Sequence, residues 1–507
     1  MATGPGTGSG QTSLYPYPIY RSSDDSLRIA ADSALFTYDL MGRMRTAVNG
    51  DAIVRRSYWP NGLLRGDTLQ VRTIAEVSAG GGFTQHVYGM ELAYDLDGRR
   101  VELKHPTALA PRAGSVVKDR THYAYDPVMG TPRQVTDPLG NPIRFHFDAR
   151  GDLDTLTTPG VTQSFAYDDD GRRTYHGVTR AGTQVRGETF LYDDAGKLLR
   201  SGNPYGNIDS LSVRYTGMGH LLESTNTYLG YQPAGSTQVR FTERELPRGD
   251  ALANLGVSTR TTYLKQQGQN QYETSNTTSY FAYLPGSGRL WLRATGSSQD
   301  TLKYDQAGNT VFTTTIPSAS APSRADLASF YDAEGRLRVV DSRQQDDGLT
   351  RTSPVRVTFE EYRYDALGRR VLTRARRTCY NLGGQSGDFR CAHSLARRTV
   401  WDGDQELYEI QQPDDDAEND TSATPVLSPY DNNWDPNPMF GRVLYTSGVQ
   451  IDQPLGIIRM KMRDRVGSAT VDWEDFALFP LWNSRGQVER ATFVDGSEEK
   501  CKLVGVT

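Results

Sequence analysis

Glu361-Tyr362-Arg363-Tyr364-Asp365-Ala366-Leu367-Gly368-Arg369 reads as a strand running into a tight turn. Tyr362 and Tyr364 alternate with Glu361 and Arg363, the period of two that a strand imposes on its side chains. Asp365 then stands three residues before Gly368. Asp at the first position and Gly at the fourth suit a type I turn. The Asp side chain can accept a hydrogen bond from a backbone N–H two residues on. Gly supplies φ > 0 at low cost, as a type I turn followed by a G1 bulge requires.

The same unit recurs along the chain. Aromatic, Asp, two variable residues and Gly occur at Tyr38-Asp39-Leu40-Met41-Gly42, Tyr94-Asp95-Leu96-Asp97-Gly98 and Phe147-Asp148-Ala149-Arg150-Gly151. They return at Tyr167-Asp168-Asp169-Asp170-Gly171, Tyr192-Asp193-Asp194-Ala195-Gly196, Tyr304-Asp305-Gln306-Ala307-Gly308 and Tyr331-Asp332-Ala333-Glu334-Gly335. With Tyr364, Asp365 and Gly368 this makes eight copies, where composition alone would give roughly 0.4. Degenerate copies stand between them at Tyr58-Trp59-Pro60-Asn61-Gly62, Tyr125-Asp126-Pro127 and Tyr215-Thr216-Gly217-Met218-Gly219. A unit of just over 20 residues is one long hairpin, so the chain is an all-β repeat array.

The flanks predict how hairpins meet. Phe145 and Phe147 share a face with His146 opposite, and Tyr123 and Tyr125 flank Ala124. The expectation is an aromatic ladder, each ring stacked on its equivalent in the next hairpin. Six turns are followed by a cation: Arg43, Arg99, Arg172, Lys197, Arg336 and Arg369. Each either pairs with a neighbouring repeat's Asp or stays solvated.

Composition agrees. The 507 residues are only 36% hydrophobic, yet they include 28 Tyr and 50 Gly, as turns joined by aromatic strands require and a disordered chain would not. A net charge of -5, spread along the chain, argues against a whole-chain attraction to nucleic acid or anionic membrane. No apolar run approaches the ~18 residues of a spanning helix. The N-terminus has no basic or apolar region of a secretory signal.

Residues 1–30 read as a flexible tail, 31–410 as the repeat β-array, 411–437 as an exposed acidic loop and 438–507 as a terminal β segment. Within the array, 236–300 carries the weaker units, Pro317–Arg324 is a loop, and Arg324–Phe330 is the best short helix signal. The run Asp414-Asp415-Asp416-Ala417-Glu418-Asn419-Asp420 offers oxygen ligands, but without the glycine or spacing of a calcium loop. Of three cysteines, Cys379 and Cys391 could close the loop Tyr380–Arg390, or all three, Cys501 included, could be free thiols.

Catalytic patterns are missing. His86, His105, His122, His146, His176, His220 and His393 show no metal-ligand spacing. Gly80-Gly81-Gly82 lacks the Lys-Ser/Thr of a phosphate loop and reads as a turn. Paired carboxylates could suit glycoside hydrolysis, but a catalytic pair would not recur eight times, and each Asp has a turn to form. Neither a cofactor nor a metal is expected.

The Tyr-Asp-x-x-Gly-Arg units resemble the YD repeats of bacterial Rhs proteins, insecticidal toxin-complex C components and animal teneurins, over about residues 31–410. Trp401-Asp402-Gly403, with Leu407 and Glu409, looks like a strand near the end of Rhs cores. Pro480-Leu481-Trp482-Asn483-Ser484-Arg485-Gly486 is similar to a segment preceding their closure. The closing Asp-Pro-x-Gly-Leu signature is absent, so no self-cleavage residue carries over, and the chain is expected to be the wall of a larger exported protein. The resemblance implies a spiral of hairpins forming a shell or part of one, around a C-terminal toxin or effector or a downstream segment, secreted or at the cell surface. The rival expectation is a surface adhesion module binding carbohydrate.

Overall fold

The structure, a computed structural model, describes residues 33–77, 83–106, 119–202, 210–229, 239–249, 254–266, 273–316, 325–344, 355–381, 389–413, 441–448, 453–464, 471–482 and 488–499. Among these, every regular element is a β-strand. Strands close in sequence pair antiparallel: Leu35–Tyr38 with Met44–Val48, Ala52–Tyr58 with Leu64–Val77, and Arg370–Asn381 with Phe389–Asp402. Alternation decides the faces. In Pro142–Phe147, Ile143 and Phe145 are buried while Arg144 and His146 are exposed.

Among the described residues, many alternate connections are aromatic turns, mostly after a tyrosine. The ladder slips by one residue where the aromatic meets its partner, between Thr37 and Tyr38, Ala166 and Tyr167, and Arg363 and Tyr364. Because the aromatic of each of the eight turns closes a strand and the second residue after Gly opens the next, these turns share one end of the ladder in each unit.

Several expectations meet this fold directly. Residues 325–330, inside the helix signal, belong to the strand Ala325–Tyr331; Asp326, Ala328 and Ser329 are buried there, and sheet packing overrides a weak local helix preference. The weak stretch 236–300 contains the strands Val239–Gly249, Leu255–Gln266, Glu273–Tyr283 and Leu290–Thr295. Residues 411–413 continue the strand Gln405–Pro413, while 414–437 lie outside the described residues. So do 1–30, Gly80–Gly82, Pro317–Arg324 and Cys501.

The chain forms two compact units. One comprises 1–143, 327–344 and 353–507; the other comprises 144–326 and 345–352. The repeat array of 31–410 therefore contributes to both. In the first, strands about 300 residues apart face one another across a buried layer. Ala47, Val54, Leu69, Val71 and Leu103 are buried there, as are Val371, Val400, Leu407, Leu444 and Ile458. Polar contacts bridge the same separation. Asn49 Nδ2 donates to the Tyr364 carbonyl at 2.8 Å, and Arg338 and Arg363 reach the Asp51 carboxylate at 2.9 and 3.3 Å. Arg100 grips Asp402, and Tyr408 Oη lies 3.0 Å from His105 Nδ1.

The second unit has a thinner apolar set, including Phe145, Leu156, Val178, Phe190 and Phe312. Its strands are tied by hydroxyls and ion pairs. Ser279 and Thr295 Oγ atoms are 2.8 Å apart, Thr315 Oγ1 donates to Asp300 at 2.8 Å, and Arg244 meets Glu223 at 2.6 Å. These polar links accompany the modest hydrophobic content.

Candidate functional site: the stacked turns

The recurrent side-chain constellation is the turn itself. In all eight copies the Gly N–H donates to the Asp carbonyl at 2.9–3.2 Å: Asp39–Gly42, Asp95–Gly98, Asp148–Gly151, Asp168–Gly171, Asp193–Gly196, Asp305–Gly308, Asp332–Gly335 and Asp365–Gly368. These glycines have φ of +76° to +98°, the left-handed region where a Cβ would clash with its own backbone. In the turn starting at Asp365, Oδ1 accepts from the N–H of Leu367 at 3.0 Å and of Arg369 at 2.9 Å. Asp39, Asp95, Asp168 and Asp332 do the same.

The second carboxylate oxygen takes the cation. Arg43, Arg99, Arg172, Arg336 and Arg369 each bring Nε to Oδ2 of their own turn's Asp at 2.7–2.8 Å. The sequence suggested a neighbouring repeat's Asp or a solvated charge instead. Nε faces its own carboxylate because the bulge curls the chain back within four residues; Arg99, Arg172 and Arg336 also bring an outer nitrogen to Asp97, Asp170 and Glu334 of their own turns at 2.7, 2.9 and 2.9 Å, and the planar guanidinium groups extend onward.

They reach the next hairpin. The guanidinium carbon of Arg43 lies 4.7 Å from the Tyr58 ring centroid, Arg99 5.1 Å from Tyr125, Arg172 5.4 Å from Tyr192 and Arg336 5.1 Å from Tyr364. Lys197 covers Tyr215 and Arg289 covers Tyr304 in the same way. Arg172 Nη1 also donates to the Asp193 carbonyl at 3.3 Å, and Arg369 Nη1 to the Gly403 carbonyl at 2.9 Å. The recurrent partner of the turn tyrosine is therefore a cation of the preceding turn, where the sequence predicted an equivalent ring. A cation over an aromatic face is attracted by the ring quadrupole.

The phenol hydroxyl makes a third link. Tyr58 donates to the Met44 carbonyl at 2.8 Å, Tyr125 to Arg100 at 2.8 Å, Tyr167 to Leu153 at 2.9 Å, Tyr192 to Arg173 at 2.9 Å and Tyr364 to Leu337 at 2.7 Å. In each case the acceptor lies two residues after the Gly of the previous turn. Trp401 Nε1 substitutes for the phenol, donating to the Arg370 carbonyl at 2.9 Å. Aspartate clamps the cation, the cation covers the next ring, and that ring's hydroxyl returns to the backbone beside the cation.

The turns missed in the sequence are those without a full motif. Asp137-Pro138-Leu139-Gly140 makes the same turn at 2.9 Å, with Gly140 at φ +85° and Asp137 buried, but no aromatic precedes it. Leu284 to Arg289 turns without Asp, and Tyr283 donates to the Leu255 carbonyl. Asp-x-x-Gly without the aromatic would have found the first; only the spacing of Tyr283 hinted at the second.

Charge states follow placement. Backbone N–H donation, led by Arg43 for Asp39 and Asp152 for Asp148, holds these carboxyls below the ordinary value. Burial pushes Asp67 and Asp137 the other way. His105 and His176 are buried, which lowers them to about 4 and about 3. His105 sits between Thr121 and Tyr408, and His176 stacks on Phe165 at 4.8 Å. His146 contacts Asp154 at 2.6 Å. Among the described residues, no three His, Cys, Asp or Glu side chains gather as a metal ion would need.

No protein-family model and no curated protein matches the sequence. Solved structures do match. The crystal structure of TcdB2-TccC3 aligns over 92% of this chain with a TM-score of 0.60 at 13% identity. TcdB2-TccC3 without its hypervariable C-terminal region aligns over the same share, with a TM-score of 0.59 at 14% identity. The chain spans about a fifth, 21%, of the length of each. It has the all-β fold of those proteins, built from consecutively paired antiparallel strands.

Proposed function

We propose that this chain is a non-catalytic wall segment of a bacterial Rhs-type β-shell, enclosing or holding a polypeptide carried downstream or supplied by another chain. The observation that carries this reading is the fold likeness to TcdB2-TccC3 over 92% of the chain, joined to the interlocking turns. The turn carboxylates are occupied by backbone N–H groups and arginines, so their recurrence is accounted for by structure. TcdB2-TccC3 was crystallised both with and without its hypervariable C-terminal region, and this chain resembles both structures. A wall of this kind would serve a secreted or surface-exposed protein.

The test is protease protection. The natural polypeptide containing this chain, with whatever it encodes downstream, is digested with a small protease. The downstream segment should survive in the intact protein and be degraded once Asp365→Ala loosens the wall. Equal digestion of the downstream segment in the intact protein and as an isolated fragment would overturn the reading. Saturable binding of the chain to a glycan array, without protection, would favour adhesion.

A further inference from the structure

Only three cysteines occur in 507 residues, and the fold brings two of them to one register position. The strands Arg370–Asn381 and Phe389–Asp402 pair antiparallel, and Cys379 stands directly opposite Cys391, between the pairs Arg377–His393 and Tyr380–Arg390. Directly opposed residues of an antiparallel pair share a face, with Cα atoms about 4.5–5.5 Å apart. A disulfide accepts Cα separations of about 4.4–6.8 Å. A shift of one residue in either strand would put the two cysteines on opposite faces.

We infer that Cys379 and Cys391 form a cross-strand disulfide. Two thiols lose two protons and two electrons, and one S–S bond forms. A low-molecular-weight disulfide such as oxidised glutathione accepts the electrons and is reduced to two thiols. The position gives the bond a task. One end of this hairpin pair is held by the turns, through Arg369 on the Gly403 carbonyl and Trp401 on the Arg370 carbonyl. Cys379 and Cys391 lie toward the other end, where the chain runs on through 382–388. The disulfide would staple that end, and only in an oxidising compartment. The inference rests on register alone and holds whether or not the chain encloses anything.

The test uses the whole chain, purified reduced and then exposed to oxidised glutathione. Free thiols are blocked with N-ethylmaleimide, and the protein is digested and mapped by mass spectrometry without reduction. The expected result is a cross-linked peptide pair containing Cys379 and Cys391, with Cys501 alkylated. A second readout is nicking between 382 and 388, which should release fragments only after reduction. The register control combines Cys391→Ser with Ala392→Cys, moving the thiol one position to the opposite face. With native circular dichroism retained, that variant should lose the cross-link. Full alkylation of all three cysteines after oxidation would overturn the inference, as would Cys501 as partner or equal cross-linking from position 392.

Discussion

Replacing Asp365 with Ala should be the most damaging single change among the turn aspartates. Its carboxylate is fully buried and Arg369 is only 8% exposed, unlike the pair Asp168–Arg172, whose side chains are 24% and 30% exposed. Removing the carboxylate strands the Leu367 and Arg369 N–H groups and leaves Arg369 Nε unpaired, with Nη1 still on the Gly403 carbonyl. Breaking a buried ion pair from one side costs about 3–5 kcal/mol. Asp365→Asn keeps an oxygen for both backbone donors and loses only the charge, so its loss should be intermediate. The assay is the urea midpoint by circular dichroism, with hydrogen exchange of the strands Val355–Tyr364 and Arg370–Asn381 to localise the loss. The Asp168→Ala variant serves as comparison and should shift the midpoint far less. Equal shifts for the alanine variants at 365 and 168 would refute the argument that burial sets the worth of the pair.

Tyr364→Phe keeps the ring under Arg336 and removes only the hydrogen bond to the Leu337 carbonyl, so it should cost about 1 kcal/mol in the same measurement. Gly98→Val forces a β-branched side chain into φ +80° with Leu63 Cδ1 3.6 Å from the new Cβ. It should cost about 2 kcal/mol, whereas Gly98→Asn, which tolerates that region, should lose much less thermal stability. His105 supplies a pH signature. The unfolded chain takes up its proton near pH 6.5, but burial delays this in the folded protein to about 4. His105 should contribute about 3 kcal/mol that is fully present above pH 6.5 and lost as pH drops toward 4; because buried His176, lowered to about 3, loses its contribution through the same window, His105→Gln should make the fall of melting temperature shallower without abolishing it. The lowered carboxyls of Asp39 and Asp148 act in a separate window. Their contribution is present above about pH 4 and is lost on further acidification, so His105→Gln should leave that fall in place.

The turns were legible because their chemistry is local. Asp and Gly act within five residues, so Tyr364-Asp365-Ala366-Leu367-Gly368 states its own geometry. What joins one hairpin to the next was not. The bulge turns Arg369 back onto Asp365, and a one-dimensional reading of an Asp and an Arg cannot show which carboxylate an arginine will face. The exchange of an expected ring stack for an arginine between hairpins has the same origin, since Arg336 and Tyr364 are 28 residues apart. The buried layer of the first unit was invisible for a related reason. Asp51 facing Arg338 and Arg363, or Arg100 facing Asp402, depends on how distant strands come together, and no periodicity in either segment records the partner.

The linkage between turns tolerates very different amounts of intervening chain. Fifteen residues separate Arg43 from Tyr58 and Arg289 from Tyr304, 20 separate Arg172 from Tyr192, and 26 separate Arg99 from Tyr125, yet the contact is the same. Hairpin length is thereby uncoupled from assembly. Within each unit the linked tyrosine turns act as a fixed hinge line at one end of the hairpins, while the opposite end can lengthen or shorten one hairpin at a time. Inserted sequence such as an epitope or a fluorescent tag should be accepted at that opposite end of a hairpin, and the same insertion within a tyrosine turn should break the line.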